Sequence, residues 1–333
     1  MKIHSNIPIF ISHQGCHYNC VYCNQRLITG KAELPNKAQI KRTIEVYLST
    51  LEDAIPKEIA FFGGSFTALT KEEQSFYLDI ARSYVGQHGI EGIRFSTRPD
   101  AIDEEEMAFL SDYPISTIEL GVQSLDTSVL RASGRGHGIV DVLRAVNLVR
   151  QKEIALGLQM MTGLPEDHYD AAIFTAEKII SLKPAFVRIY PTLVLKGTPL
   201  ENMMNKGFYT PWNLEETVEI CSDILSLFMG AQIPVIRLGL YSSEKSFLDS
   251  IVAGPYHPAL RGLVMGRLYQ KALKKIVGPW EIEIHPKELS YLLGHGKENV
   301  IYFEQRGISL VYTLNDTVPR GGFLQGGHFV PIH

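Results

Sequence analysis

The sequence predicts an α/β fold: a partial, open TIM-like barrel of six βα units, (β/α)6, followed by a small C-terminal α+β appendage. Three observations predict it. Short apolar runs alternate with amphipathic stretches through most of the chain, the pattern of a parallel sheet covered by helices. The number of repeats falls short of a full barrel of eight, and polar or glycine-rich motifs recur at the ends of the runs, where barrels of this kind gather their chemistry.

The runs at 7–12, 58–62, 92–96, 115–121, 154–160 and 185–189 read as strands. Between the first two, Asn36 stands as the cap of a helix carrying Ile40, Ile44, Leu48 and Leu51 on one face. Thr70 with Glu73 forms a capping box, and Asn213 caps a further helix. Acidic residues at 103–106 suit a helix start through the macrodipole. After 234–238 the rhythm changes. A helix near 260–277, short strands around 281–285 and 308–313 and a glycine-rich end make the appendage, so the expected division is a core at 1–240 and a small α+β domain at 241–333.

Composition narrows the class. With 333 residues, 45% hydrophobic and 20% charged, the chain is an ordinary globular one. A net charge of −4 gives no global positive field for a phosphate backbone, so a nucleic-acid partner requires a local basic patch. The apolar run at 7–11 is broken by Pro8 and is too short for a signal-peptide core or a membrane span, which predicts a cytoplasmic protein.

Three of the four cysteines, Cys16, Cys20 and Cys23, fall in one C-x-x-x-C-x-x-C loop after the first strand. In a long chain this spacing points to metal rather than disulfides. Two readings follow. A structural zinc site needs a fourth ligand, for which His13 or His17 is available; an iron–sulfur cubane with three thiolates keeps one iron open. Cys221 stands apart, on the apolar side of the helix after Asn213, and reads as a core thiol.

With Tyr22 immediately before the third cysteine, the loop resembles the radical S-adenosylmethionine (SAM) superfamily. The resemblance implies a 4Fe-4S cluster on Cys16, Cys20 and Cys23 that cleaves SAM to methionine and a 5′-deoxyadenosyl radical, which abstracts hydrogen from a substrate. It also implies an electron donor such as flavodoxin or ferredoxin. Gly63-Gly64-Ser65, ending the second strand, is similar to the glycine-rich motif that holds the SAM amino group, with Ser65 where an acidic residue often stands. The cofactor set of oxygen-independent coproporphyrinogen oxidase and its relatives is matched by Gln123, implied to bond the ribose, and Arg135, implied to pair with the methionine carboxylate through its planar fork. Ser96 and Gln159 stand where those relatives carry a glutamate and an aspartate; Gly163 follows in Met160-Met161-Thr162-Gly163-Leu164-Pro165.

The nearer resemblance, over residues 7–240, is to the radical domain of the Elongator catalytic subunit and its bacterial and archaeal relatives. It is carried by Ser96-Thr97-Arg98-Pro99-Asp100, Glu119-Leu120-Gly121-Val122-Gln123-Ser124 and Arg188-Ile189-Tyr190-Pro191-Thr192-Leu193-Val194-Leu195-Lys196-Gly197-Thr198-Pro199-Leu200. The last stretch offers Tyr190 and Lys196 as substrate contacts. Two departures bear on the reaction: the cysteine spacing is shorter than Elongator's, and the remaining residues show no acetyltransferase-type loop. The resemblance therefore implies Elongator-like chemistry on RNA, with tRNA the expected substrate. A local basic patch supports it: between Pro255 and Trp280 there is no Asp or Glu, while Arg261, Arg267, Lys271, Lys274 and Lys275 recur at partly helical spacing. A tetrapyrrole or other small metabolite as substrate, and a non-enzymatic zinc protein that binds nucleic acid, are the alternatives.

Overall fold

The computed structural model describes residues 5–11, 16, 20–24, 34–240, 245–277 and 280–333. Seven parallel strands make one sheet: β1 (Ser5–Phe10), β2 (Lys57–Phe62), β3 (Ile90–Thr97), β4 (Ile115–Gln123), β5 (Ala155–Thr162), β6 (Phe186–Pro191) and, past a short β7 (Val194–Leu195), β8 (Val235–Leu238). They lie side by side in chain order, as serial βα crossovers of one hand dictate, and the sheet curls into a half-barrel. Six of these strands are the predicted ones. The seventh is the stretch at which the repeat was expected to lapse: β8 joins β6 with Val187 opposite Val235 and Arg188 opposite Arg237. Four residues containing an arginine carry little strand signal by themselves, and it is pairing with β6 that makes them one.

Helices α1 (Lys37–Leu48), α2 (Lys71–Arg82), α3 (Glu104–Leu110), α4 (Thr127–Ala132), α5 (Ile139–Gln151), α6 (Tyr169–Ser181), α7 (Pro199–Asn205) and α8 (Leu214–Gly230) fill the crossovers. Their starts follow the caps. Asn36 and Gln39 exchange bonds of 3.0 and 2.8 Å, Thr70 and Glu73 bonds of 3.2 and 3.0 Å, and Asn213 accepts from the Glu216 amide at 2.9 Å. Each such cap is worth about 1 kcal/mol. Leu51 lies beyond the end of α1, which stops at Leu48. In α5 the residues Val142, Ala145, Val146 and Val149 are buried, the spacing of a single apolar stripe.

Strand alternation sorts the two faces of the sheet. On β4, Ile118, Leu120 and Val122 are fully buried in the sheet–helix core, while Thr117, Glu119, Gly121 and Gln123 occupy the opposite face, inside the half-barrel. That inner face is polar. Glu119 is fully buried and grips two arginines: Arg94 Nε at 2.6 Å, and Arg188 through Nε at 2.7 Å and Nη2 at 3.1 Å. Arg94 reaches on to Glu58 at 3.2 Å, and Glu58 accepts from Ser116 and Thr117 at 2.5 Å each. Two arginines and two glutamates balance, which is what makes charge tolerable at such depth.

Beyond residue 240 come α9 (Lys245–Leu248), β9 (Ile251–Ala253), α10 (Leu260–Lys274), β10 (Glu281–Ile284), α11 (Leu289–Leu293), α12 (Glu298–Glu304), β11 (Val311–Leu314), β12 (Gly322–Gln325) and β13 (His328–Pro331). The last four strands form a sheet in the order β11-β10-β12-β13, whose final hairpin turns through Gly326 and Gly327, both at positive φ. β9 pairs antiparallel with β7, and α10 packs along α8.

That packing corrects the expectation of a basic stripe open to phosphates. Arg261 donates to the Val235 carbonyl at 2.8 Å. Arg267 pairs with Glu215 at 2.7 Å and with Glu219, Lys271 pairs with Glu219 at 2.7 Å and Asp223 at 2.6 Å, and Lys274 lies over the Tyr302 ring; only Lys275, of the five, is an exposed cation without such a contact among the described residues. The segment lacks acids because its counter-charges sit on α8, at a spacing of four residues along one helix face. Among the described residues no helix is long and apolar enough to cross a membrane.

Candidate active site

The carboxyl ends of the strands surround a cavity of about 450 Å³, reaching from Phe10 on β1 to Arg237 on β8. Cys16, Cys20, Cys23 and Tyr22 lie on its wall with Gly63, Gly64, Ser65, Ser96, Gln123, Arg135, Gln159 and Tyr190. Residues predicted from seven separate stretches of chain thus share one chamber. His13 and His17, the fourth zinc ligands considered above, lie outside the described residues.

The cysteine loop is held by its backbone. Val21 donates to Ser133 at the end of α4 at 3.1 Å and accepts from Leu200 in α7 at 2.8 Å, while the Cys23 amide closes on the Cys20 carbonyl at 3.0 Å. Tyr22 packs between Leu164, Val129 and the Val194–Leu200–Tyr209 cluster, and burial raises its phenol far above the usual range. All three thiols are free of disulfides. Burial also raises the Cys16 thiol, with Cys20 beside it adding to the effect. Among the described residues no three His, Cys, Asp or Glu side chains converge as a single-metal site.

Arg135 leaves α4 after Gly134, which has φ +67°, and enters the cavity next to the cysteines. Its Nη1 is 3.3 Å from Cys20 Sγ and 3.4 Å from the Tyr22 hydroxyl, and Nη2 donates to the Gly121 carbonyl at 2.6 Å. His137 holds it from behind. Burial, then the charge of Arg135, push the imidazole down to about 4, so it is neutral: Nε2–H donates to the Val122 carbonyl at 3.1 Å and Nδ1 faces Arg135 Nη2 at 3.4 Å as acceptor. Three polar atoms of residues lining the cavity are buried without a hydrogen-bond partner among the described residues: Arg135 Nε, Gln123 Oε1 and Arg188 Nε, the last in ion-pair contact with Glu119. Gln123 also carries φ +65°, an uncommon backbone for a non-glycine residue and one that concentrates at functional sites.

The glycine turn is tied to β3 through hydroxyls. Ser65 Oγ is 3.0 Å from Thr97 Oγ1 and accepts from the Arg98 amide at 3.1 Å; Thr97 Oγ1 is 2.7 Å from Thr67 Oγ1. The Ser65 hydroxyl is therefore spent on positioning, and the turn faces the cavity with its backbone, helped by Gly63 at φ +90°. Gln159 Nε2 links Ser96 Oγ at 3.3 Å with Glu119 Oε2 at 3.1 Å, so a carboxylate absent at positions 96 and 159 is supplied next to them by β4.

Two expected site residues fall elsewhere. Lys196 is exposed and does not line the cavity; its amide bonds to Ser250 at 2.9 Å in the β7–β9 turn. Gly163 is structural: at φ +72° a side chain there would meet Trp212 at 3.1 Å, its amide donates to Asp167 Oδ2 at 2.8 Å, and its carbonyl accepts from Tyr209 at 2.6 Å. Burial raises that Asp167 carboxyl to about 7. A folded-state pKa above the unfolded one means stability falls as pH rises from about 4 to 7. Asp167→Asn therefore gains on the wild type over that window by about 1–2 kcal/mol, allowing for the side chain's partial exposure; parallel melting curves of both proteins at pH 5 and 8 check it, and an equal gap at both refutes it.

The other three arginines of the cavity carried no assigned role in the sequence. Arg98, bonded to Asp100 at 3.0 Å, Arg188 and Arg237 all line it. The available signal was the strand period: polar residues recurring on one strand face, as in Thr117, Glu119 and Gln123, mark a polar barrel interior.

A parallel half-barrel whose carboxyl edge brings free thiols, a glycine turn and a buried arginine into one chamber has the layout of a barrel enzyme. The family model described as the radical SAM superfamily matches residues 10–179, and that of the radical SAM C-terminal domain matches 184–270. The chain belongs to the radical SAM superfamily. It is 30% identical over 233 residues to an uncharacterized protein of Methanocaldococcus jannaschii, covering 66% of this chain and 70% of that one. It is 31% identical over 247 residues to the tRNA uridine(34) acetyltransferase of Dehalococcoides mccartyi (70% of this chain, 53% of that one) and 25% identical over 252 residues to human Elongator complex protein 3 (69% and 45%). The chain thus spans about half the length of these two named relatives. The solved structure of archaeal Elp3 from Methanocaldococcus infernus superimposes with a TM-score of 0.65 at 21% identity, over 82% of this chain and 64% of that one, which shows the shared fold.

Proposed function

We propose that this radical SAM enzyme holds a 4Fe-4S cluster on Cys16, Cys20 and Cys23, binds SAM against it, and modifies RNA, with tRNA as the substrate. The observation that carries the reading is the meeting, in one cavity, of three free thiols with Arg135 Nε and Gln123 Oε1, buried polar atoms that lack a protein partner among the described residues. When bound, the cluster supplies the electron that splits the SAM sulfonium and yields the hydrogen-abstracting radical.

The protein's part is to bind and orient. Arg135, held by the Gly121 carbonyl and neutral His137, takes the methionine carboxylate in this reading. Gln123 offers its amide to the ribose, the backbone at 63–65 receives the amino group, and Tyr190 is the substrate contact from β6. Support for RNA comes from the names of the relatives, tRNA uridine(34) acetyltransferase among them. A cytoplasmic setting and a flavodoxin or ferredoxin as electron donor go with that reading.

The test is anaerobic reconstitution with iron and sulfide, then incubation with SAM, dithionite and bulk tRNA from a strain lacking the gene. Expected are 5′-deoxyadenosine and a new modified nucleoside by mass spectrometry. Stoichiometric zinc without iron after anaerobic purification overturns the cluster assignment; an unchanged nucleoside profile beside active SAM cleavage overturns tRNA and moves the substrate to a small metabolite.

A further inference from the structure

We infer that Arg135 is a redox-tuning residue: its guanidinium donates a hydrogen bond to the Cys20 sulfur and thereby raises the reduction potential of the cluster held by Cys16, Cys20 and Cys23. The inference rests on that cluster assignment and adds to the part the same arginine takes in binding SAM.

The hydrogen bonds of the guanidinium divide its nitrogens between two tasks. Nη1 reaches Cys20 Sγ at 3.3 Å and the Tyr22 hydroxyl at 3.4 Å, while Nη2 reaches the Gly121 carbonyl at 2.6 Å and His137 Nδ1 at 3.4 Å. Nε is buried without a hydrogen-bond partner among the described residues, so its N–H is the donor left for the SAM carboxylate. The contact with sulfur is directed: Gly121 and His137 pin Nη2, and in a rigid planar fork pinned at one nitrogen the directions of the others follow. The sulfur is held as firmly. Val21, next to Cys20, is bonded through its backbone to Ser133 and Leu200, which keeps the loop against the arginine.

Of the three thiols, Cys20 is the buried one, and Cys16 and Cys23 are partly exposed. A charge acts most strongly where water is kept out, so the arginine meets the sulfur at which its effect is largest. Reduction brings in one electron from the donor, and no proton, to a set that three thiolates already make anionic. A positive N–H donor on one of those sulfurs stabilises the added negative charge, and hydrogen bonds to sulfur together with net charge are what set such potentials. No carboxylate lines the described cavity wall to oppose it. Arg98, further along the same wall, is bonded to Asp100, which leaves Arg135 as the arginine whose charge is given to the cysteine loop.

The test uses the anaerobically reconstituted full-length protein without SAM, so that cofactor binding does not enter. Wild type, Arg135→Gln and Arg135→Lys are poised at a series of potentials with dithionite and mediators, and the reduced cluster is counted by electron paramagnetic resonance beside iron and sulfide content. At the wild-type midpoint the ratio of reduced to oxidised cluster is expected to be at least about tenfold lower in Arg135→Gln, which is about 59 mV for one electron. Arg135→Lys keeps the charge and loses the planar fork, and its midpoint falls between the two. A second readout needs no substitution: in reduced wild type carrying arginine isotopically labelled in its guanidinium nitrogens, pulsed resonance is expected to show a labelled nitrogen coupled to the cluster spin. A wild-type midpoint in Arg135→Gln at full iron content, or reduced wild type without that coupling, overturns the tuning role; if Arg135→Gln takes up no iron, the coupling in wild type decides. Wild type that takes up neither iron nor sulfide overturns the cluster assignment itself, and the inference with it.

Discussion

Cys20→Ala abolishes SAM cleavage: in anaerobically reconstituted protein given SAM and dithionite, 5′-deoxyadenosine drops at least about 100-fold below wild type. The size follows from how little the neighbourhood can compensate. Cys20 is buried, its loop is stapled by Val21 to the end of α4 and the start of α7, and its sulfur lies 3.3 Å from Arg135. The remaining cysteine, Cys221, is fully buried in α8, where burial pushes its thiol up to about 12, so it offers no substitute thiolate. Iron content and the electron paramagnetic resonance of the reduced protein give a readout independent of turnover, and both fall with it. Equal product from the two proteins removes Cys20 from the ligand set.

The second large effect is on stability. Glu119→Gln lowers the unfolding free energy by about 3–5 kcal/mol, a large part of the 5–15 kcal/mol available to a folded domain. Glu119 is fully buried and is gripped by Arg94, Arg188 and Gln159; a neutral amide leaves two buried guanidinium groups with one carboxylate, that of Glu58. Urea unfolding followed by circular dichroism reads the loss as a lower midpoint at unchanged slope. A midpoint equal to that of wild type shows that water already shares these charges.

Much of the site was legible because its signals are local. Cys16, Cys20 and Cys23 are read from spacing, the Gly63–Gly64 turn from its place at a strand end, and the helix starts at Asn36, Thr70 and Asn213 from cap chemistry within one turn of chain. Lys196 and Gly163 show the limit of that approach. They belong to stretches that resemble functional ones, yet one points away from the cavity in a tight turn and the other exists to let Trp212 approach the backbone. The basic residues of α10 are a parallel case: their run without acids is visible in the sequence, and their partners Glu215, Glu219 and Asp223 are not.

The amino-acid sequence by itself determined the periodicities, and with them a barrel of parallel strands whose first loop carries three thiols. Only the tertiary structure decided that 235–238 completes the sheet, that the inner face holds a neutral set of two arginines and two glutamates, and that Arg188 and Arg237 stand side by side. The physical reason is range. A cap or a cysteine loop is closed by residues a few positions apart, whereas Arg94 meets Glu119 across 25 residues and Arg188 meets it across 69, and such pairings exist only once strand register and sheet curvature bring the side chains to one face.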